Sequence, residues 1–453
     1  MFTVDAALLN DVARRANDYL SAASSCRVSP EPAAIDALQA LDGPLPDSPS
    51  APADVLALLD RVGSPATVRT TGGRYFGFVI GGVVPAALAA SWMTSAWDQN
   101  AALRVMSPAG AACEEIALAW VRDLLGLPHV AAGVLVTGAT MASFTGLAAA
   151  RHALLERAGW DVERDGLFGA PPLKVVVGGE VHISLLKALG LLGLGRERVH
   201  RVPVDGQGRM RADALPPLDD RTIVCIQAGN VNTGAFDPAG DICARAHERS
   251  AWVHVDGAFG LWAASSPRYR HLTDGAGDAD SWATDGHKWP NIGYDCGIAI
   301  VRDAEALRGA MAMSSAYLSP GDNREPSQFS PEMSRRARGV ELWAALRSLG
   351  REGIADIIER TAGHAQRFAV SLRERGYEVL NDVVINQVLV SFGSPAVTRA
   401  TIASIQEDGT CWCAGTEWQG RTAMRISVSS WATTDEDVDA SVAAMDRAAR
   451  ECR

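Results

Sequence analysis

Lysine is nearly absent from this chain: among 453 residues there are 42 basic side chains, and all but Lys174, Lys187 and Lys288 are arginine. Arginine solvates and pairs with carboxylates as well as lysine does, but only a primary amine can lose its proton near neutrality and attack a carbonyl carbon. Each surviving lysine is therefore either a remnant of arginine-biased codon usage or a position where an amine is required. Paired cysteines are missing as well. The eight cysteines (26, 113, 225, 243, 296, 411, 413 and 452) include no C-x-x-C spacing. In a reducing compartment they read as small core residues, with Cys411 and Cys413 on one face of a strand. No apolar run is long enough to cross a bilayer, and Met1 to Asp5 lacks the basic start of a signal peptide. The expectation is a cytoplasmic chain without a membrane partner. Excess positive charge is lacking too. A net charge of −11, a pI near 5.4 and no basic stripe with interleaved aromatics argue against nucleic acid, leaving small molecules or a second copy of the chain as partners.

What is present is an ordinary globular composition, 47% hydrophobic and 21% charged with mean hydropathy near zero. The length suggests roughly two or three domains. Phe2 to Ala23 reads as an amphipathic helix. The Pro-rich stretches SPEPAA and GPLPDSPSAP that follow read as a linker or an arm laid on a surface. No internal repeat is present. From about residue 75 to 305, the apolar runs GVLVTG, LKVVVGG, TIVCIQAG, AWVHVDGA and CGIAIVRD alternate with helical stretches, the pattern of a largely parallel sheet covered on both faces. From Ser334 a long helical stretch, RRARGVELWAALRSLG, leads to a smaller α+β segment. There VVINQVLVSFG and AMRISVSSW read as strands and DEDVDASVAAMDRAAR as a closing helix.

In a parallel α/β sheet, ligands gather beyond the carboxyl ends of the strands, so the polar residues after each apolar run carry the functional reading. After GVLVT stand Gly138, Ala139 and Thr140 at the start of a helix-like stretch, where free N–H groups and the helix dipole suit a phosphate. The alternative is an ordinary tight turn. After KVVVGGE comes His182, a ring available for stacking or a satisfied structural histidine. After AWVHV comes Asp256, followed by Gly257 and Ala258. A carboxylate there needs a cation, either a protonated ring nitrogen or one of the many arginines. After DSWATD come His287 and Lys288. A phosphate cradle, a stacking imidazole, an acid for a pyridine nitrogen and an amine for an aldehyde are together the four needs of pyridoxal 5′-phosphate.

These pieces carry a resemblance. SPAGAACEEIALAWVRDLLGLP, GVLVTGATMASFTGLAAAR, EVHISLLKA, NTGAFDP, HVDGAFG and, most specifically, DSWATDGHKW resemble the group II pyridoxal-dependent amino acid decarboxylases of the fold-type I, aspartate-aminotransferase-like superfamily. The resemblance implies an α/β fold of type I. It would comprise an N-terminal helical arm (1–70), a large cofactor-binding domain with a mostly parallel seven-stranded sheet (71–333) and a smaller C-terminal α+β domain (334–453). It also implies a homodimer with active sites at the interface. By position, Lys288 resembles the Schiff-base lysine, Asp256 the partner of the pyridinium nitrogen, His182 the ring-stacking imidazole and Ala258 the small residue under the ring. Gly138, Ala139 and Thr140 resemble the phosphate cradle, with His287 near the phosphate or substrate. The chain also departs from the pattern. Met141 follows the cradle where the family usually has Glu, Asn230 stands at a position expected to be Thr, and Asp285 replaces a frequent Asn. In SSAYLSPGDNREPSQFSPEMS only Tyr317 is available as the loop tyrosine that returns a proton to the substrate carbon.

The resemblance implies decarboxylation of an L-amino acid. Phe76, Phe78, Trp92 and Trp97 suggest an aromatic wall and hence an aromatic or bulky apolar substrate, although aromatics in such a segment also serve a core. Arg425, in AMRISVSSW, sits where the superfamily often keeps an arginine that grips a carboxylate. If it retains the substrate's carboxylate, the outcome is an aminotransferase, a carbon-carbon lyase or an aldehyde-forming enzyme. A metal-dependent hydrolase built on His254, Asp256 and His287 leaves Lys288 unexplained, and no metal is expected. A cofactor-free binding protein on the same scaffold is the remaining alternative.

Overall fold

The computed structural model describes residues 5–313 and 324–453, so Tyr317 lies outside the described residues. The chain forms two compact units, one of residues 1–80, 367–380 and 389–453, the other of residues 81–366 and 381–388.

Three helices come first: α1 (Ala6–Ala22), α2 (Pro32–Ala37) and α3 (Pro52–Gly63). Asp5 caps α1, its carboxylate accepting the Ala7 N–H at 2.8 Å. The prolines that suggested a linker instead start α2 and α3, because a fixed φ suits a first helical turn and the missing N–H has no partner there anyway. Residues 42–51 between them are irregular and exposed.

The larger unit begins with α4 (Pro85–Trp97) and α5 (Pro108–Leu124), then alternates strands and helices. β1 (Ala132–Val136) leads into α6 (Ala139–Arg157) and the short α7 (Val162–Asp165); β2 (Lys174–Gly178) leads into α8 (Ile183–Leu191) and β3 (His200–Val202). β4 (Thr222–Gln227), α9 (Ala239–His247), β5 (Trp252–Asp256), β6 (Ser281–Asp285), β7 (Gly297–Val301) and α10 (Ala304–Met311) complete the series. The seven strands form one sheet in the order β1-β7-β6-β5-β4-β2-β3. β7 is antiparallel to both neighbours, and the remaining adjacent pairs are parallel. This is the largely parallel sheet read from the alternating pattern, with the seven strands that the resemblance implied, and the five apolar runs supply β1, β2, β4, β5 and β7. Every residue of β4, β5, β6 and β7 is buried, which explains why these strands read as unbroken apolar runs.

α6 is buried nearly all round, with Ala142, Ser143, Thr145, Gly146, Leu147 and Leu154 among its inward residues. A helix with no polar face belongs inside a core. It packs against β5, β6, β7, α8 and α10. A buried ion pair braces the same unit: Arg335 Nη2 lies 2.8 Å from Glu114 Oε2 on α5 and donates to the Leu135 carbonyl of β1 at 2.9 Å.

The chain passes between units within α11 (Gly339–Glu374), which is broken at Gly350, where φ is 61°. β8 (Glu378–Val379), β9 (Gln387–Ser391), α12 (Pro395–Asp408), β10 (Ala414–Trp418), β11 (Arg421–Ser427) and α13 (Asp435–Glu451) follow, with a four-stranded sheet ordered β10-β11-β9-β8. In the smaller unit Phe76 is core, edge-on to Phe368 at 5.0 Å, and Trp412 stacks on Tyr75 at 5.1 Å.

Candidate active site

The parallel strands bring their carboxyl ends to one edge of the large sheet. Because β7 runs the other way, its first residue, Gly297, is level with Val136 and Asp285 at that edge. A Cβ on Gly297 would lie 2.4–2.5 Å from the backbone of Gly138, so the entry to α6 closes directly onto β7.

Five chain segments converge there. Gly138 is the N-cap of α6 and offers it no side-chain acceptor; the Ala139 N–H instead donates to Asp285 Oδ1 at 2.6 Å. Thr140 is half-buried in the first turn. Asp285, at the end of β6, is 2% exposed. Its second oxygen lies 3.2 Å from Lys288 Nζ and 3.5 Å from His287 Nε2, and its backbone carbonyl accepts the Trp262 indole N–H at 3.0 Å. His287 is stacked on Tyr294 at 4.3 Å, and its Nδ1 accepts the Cys296 N–H at 3.4 Å. Burial pushes the His287 imidazolium below its ordinary range, against the pull of Asp285.

Asp256 ends β5 and is buried, with the Ala258 N–H donating to it at 3.3 Å. Ala258 is half-buried, and its own carbonyl accepts the Asp285 N–H at 3.0 Å. Burial lifts the Asp256 carboxyl above its usual value; the charges of His182 and Lys288 pull it down and that of Asp285 pushes it up. Asp256 is therefore close enough to sense all three, yet among the described residues no cation forms an ion pair with it. His182 is the N-cap of α8. Its Nδ1 accepts the Ser184 N–H at 3.2 Å and lies 2.6 Å from Ser184 Oγ.

The structure thus brings together Gly138, Ala139, Asp256, Ala258, Asp285, His287 and Lys288, with His182 within electrostatic reach. Asn230 is fully buried and closes the β4–α9 connection. Its Oδ1 accepts the Asn232 and Thr233 N–H groups at 2.8 and 3.3 Å, and its Nδ2 donates to Glu180 at 3.2 Å. Trp97 ends α4, 43% exposed. Phe78 and Arg425 belong to the smaller unit. Phe78 is exposed and lies 5.4 Å from Trp412. Arg425 is buried on β11 with Nε unpaired, and burial pulls its guanidinium below the usual range. His254 is buried inside the large sheet, with its Nε2 unpaired. Its Nδ1 is 2.8 Å from Ser281 Oγ, the ring lies against Gly146, and burial pushes its pKa down to about 3.

Sequence reading gives no site role to Ser184, and takes Tyr294 only as part of the turn into β7. The cap of α8 is the histidine itself, which is not among the preferred N-cap residues, and no local pattern marks Tyr294 as a stacking partner.

Residues 54–393 match the pyridoxal-dependent decarboxylase conserved domain. Tryptophan decarboxylase 1 of Oryza sativa subsp. japonica is 28% identical over 428 residues, covering 85% of this chain and 82% of that protein. An acidic amino acid decarboxylase of Homo sapiens is 27% identical over 361 residues, covering 76% of this chain and 67% of that protein. The crystal structure of Oryza sativa TDC with PLP and tryptamine matches with a TM-score of 0.91 at 24% identity, covering 100% of this chain and 99% of that one, a likeness of fold.

Proposed function

The chain belongs to the pyridoxal-dependent decarboxylase family, and from that premise we propose that it removes the α-carboxyl group of an aromatic or bulky apolar L-amino acid, with Lys288 as the residue that holds the cofactor. As a member it is a carboxy-lyase that uses pyridoxal 5′-phosphate.

The observation that carries the assignment of roles is Asp256, a buried carboxyl with no ion-pair partner among the described residues, within reach of the charges of Lys288 and His182. A protonated ring nitrogen fits that position, because a buried carboxylate is costly until a cation meets it. Pyridoxal 5′-phosphate, when bound, supplies a sink for the electron pair left as CO2 departs. Asp256 would keep the proton on the ring nitrogen. His182, fixed by Ser184, would flank the ring, and Ala258 would leave room beneath it. Gly138, Ala139 and Thr140 at the start of α6 would face the phosphate, with His287 and Asp285 beside them. Lys288 Nζ has a proton acceptor at hand in Asp285 Oδ2, 3.2 Å away. Tyr317 is proposed as the donor of the proton that replaces the carboxylate. The substrate preference rests on Phe78 and Trp97, large aromatics left accessible to solvent.

One observation supports a second outcome. The buried guanidinium of Arg425 has no carboxylate partner among the described residues, and a bound carboxylate would offset the cost of that burial. A substrate whose carboxylate it kept would give an aminotransferase, a carbon-carbon lyase or an aldehyde-forming enzyme. Product mass spectrometry across the proteinogenic L-amino acids separates the two. A primary amine with CO2 supports decarboxylation, and a keto acid or aldehyde supports the second. Lys288→Ala should abolish turnover and the borohydride-sensitive absorbance of the bound cofactor, and retention of either would refute the role of Lys288.

No helix among the described residues is long and apolar enough to cross a membrane. A homodimer acting in the cytoplasm completes the proposal. Its support is the exposed apolar set Trp92, Met93 and Trp97 on α4, followed by Val105 and Met106.

A further inference from the structure

At the start of α6, a helix of 19 residues, the chain supplies its own anion. Asp285 reaches across from the end of β6, takes the Ala139 N–H at 2.6 Å, and places its other oxygen 3.2 Å from Lys288 Nζ and 3.5 Å from His287 Nε2. A helix N-terminus, a free N–H and two basic side chains are what a phosphate monoester seeks, and here a buried carboxylate already holds them. A carboxylate has no proton to offer a second acceptor, and a phosphate monoester carries about −1.5 to −2 at neutral pH, so the two cannot share the Ala139 N–H at full strength. Asn at the same position would keep Oδ1 on the Ala139 N–H and turn an N–H donor toward the phosphate.

Resting on the reading that pyridoxal 5′-phosphate occupies this site, we propose that Asp285 is a built-in competitor for the cofactor's phosphate. The phosphate gains the Ala139 N–H of the α6 N-terminus only by displacing the Asp285 carboxylate. Cofactor affinity is held down at the phosphate end, and loading of the enzyme follows the free cofactor concentration.

The test titrates cofactor-free wild type, Asp285→Asn and Asp285→Ala with pyridoxal 5′-phosphate, pyridoxal and inorganic phosphate, following intrinsic tryptophan fluorescence. Both variants are expected to bind pyridoxal 5′-phosphate about tenfold tighter or more, and inorganic phosphate tighter too, whereas pyridoxal, which meets Asp285 only through Lys288, gains no affinity. Asp285→Ala keeps the comparison open if the amide variant misfolds. Unchanged or weaker binding of pyridoxal 5′-phosphate, or a parallel shift for pyridoxal, overturns the competitor. If none of the proteins binds pyridoxal 5′-phosphate at all, the cofactor site assigned above fails and takes this proposal with it; equal binding by all three sinks the competitor alone.

Discussion

Asp256 holds a buried carboxyl group, with the Ala258 N–H, at 3.3 Å, as its hydrogen-bond donor. Burial raises its pKa in the folded chain above the unfolded value of about 3.9. The folded state therefore binds this proton more tightly than the unfolded state does. The stability from that preference is complete below the unfolded pKa and is lost as pH rises through the folded one. At neutral pH, without cofactor, Asp256 should destabilise the protein. Asp256→Asn keeps the acceptor for Ala258 and removes the charge, so the cofactor-free variant should melt a few degrees above wild type at pH 7, with the gap closing toward about pH 4. Adding pyridoxal 5′-phosphate should reverse the order, because only the carboxylate can pair with a protonated ring nitrogen, and turnover should fall by about 10²-fold or more. Thermal melting with and without cofactor checks both signs. A cofactor-free variant that melts lower at pH 7 would contradict the electrostatic account.

Several of these residues were legible because their chemistry is rare or misplaced: an amine in an arginine-rich chain, and a carboxylate closing an apolar strand. The hydrogen bond from Ala139 to Asp285 was not legible, since 146 residues separate the two and nothing in either neighbourhood marks the pairing.

At the level of elements, Gly297 and Gly363 should respond in opposite directions to alanine. Gly297 begins β7, and a Cβ there would press on the N, Cα and C atoms of Gly138 at 2.4–2.5 Å, atoms held by the sheet on one side and by α6 on the other. Gly297→Ala should cost about 3 kcal/mol or more and weaken cofactor binding, because the strand and the start of α6 must part. Gly363 lies inside α11 with nothing within 4 Å of the added methyl. Gly363→Ala should stabilise by about 0.5–1 kcal/mol through the narrowed unfolded ensemble. Urea unfolding of both variants tests the pair, and similar effects from the two would refute it.

The elements show unequal legibility for related reasons. β1, β2, β4, β5 and β7 are apolar runs long enough to read, whereas β3 has three residues with two exposed and β8 has two residues, too few to show any period. β10 buries only its two end residues, so AGTEW reads as polar loop. α2 and α3 begin on prolines, which signal a helix start as readily as a linker.

For the molecule as a whole, the joining of residues 1–80 to 389–453 in one unit had no sequence signature. Single sequences show local periodicity, and partners hundreds of residues apart leave none. The same would hold for any surface that meets a second copy, to which exposure is the guide. On α4, Met93 and Trp97 stand one turn apart on one face, 53% and 43% exposed, with Trp92 beside them. Val105 and Met106 extend the exposed apolar set shortly after the helix. A chain carrying −11 repels its copies in general, so association needs a specific apolar patch to overcome that charge. Wild type is expected to run in light scattering at twice 47.9 kDa, and its melting temperature should rise with protein concentration. Met93→Glu with Trp97→Glu should give a monomer whose melting temperature is independent of concentration. The fold itself should change little, because both side chains already face solvent and surface substitutions typically shift stability by about 0.5 kcal/mol or less. A wild-type monomer, or a double variant that remains a dimer, would exclude this face of α4 as the interface.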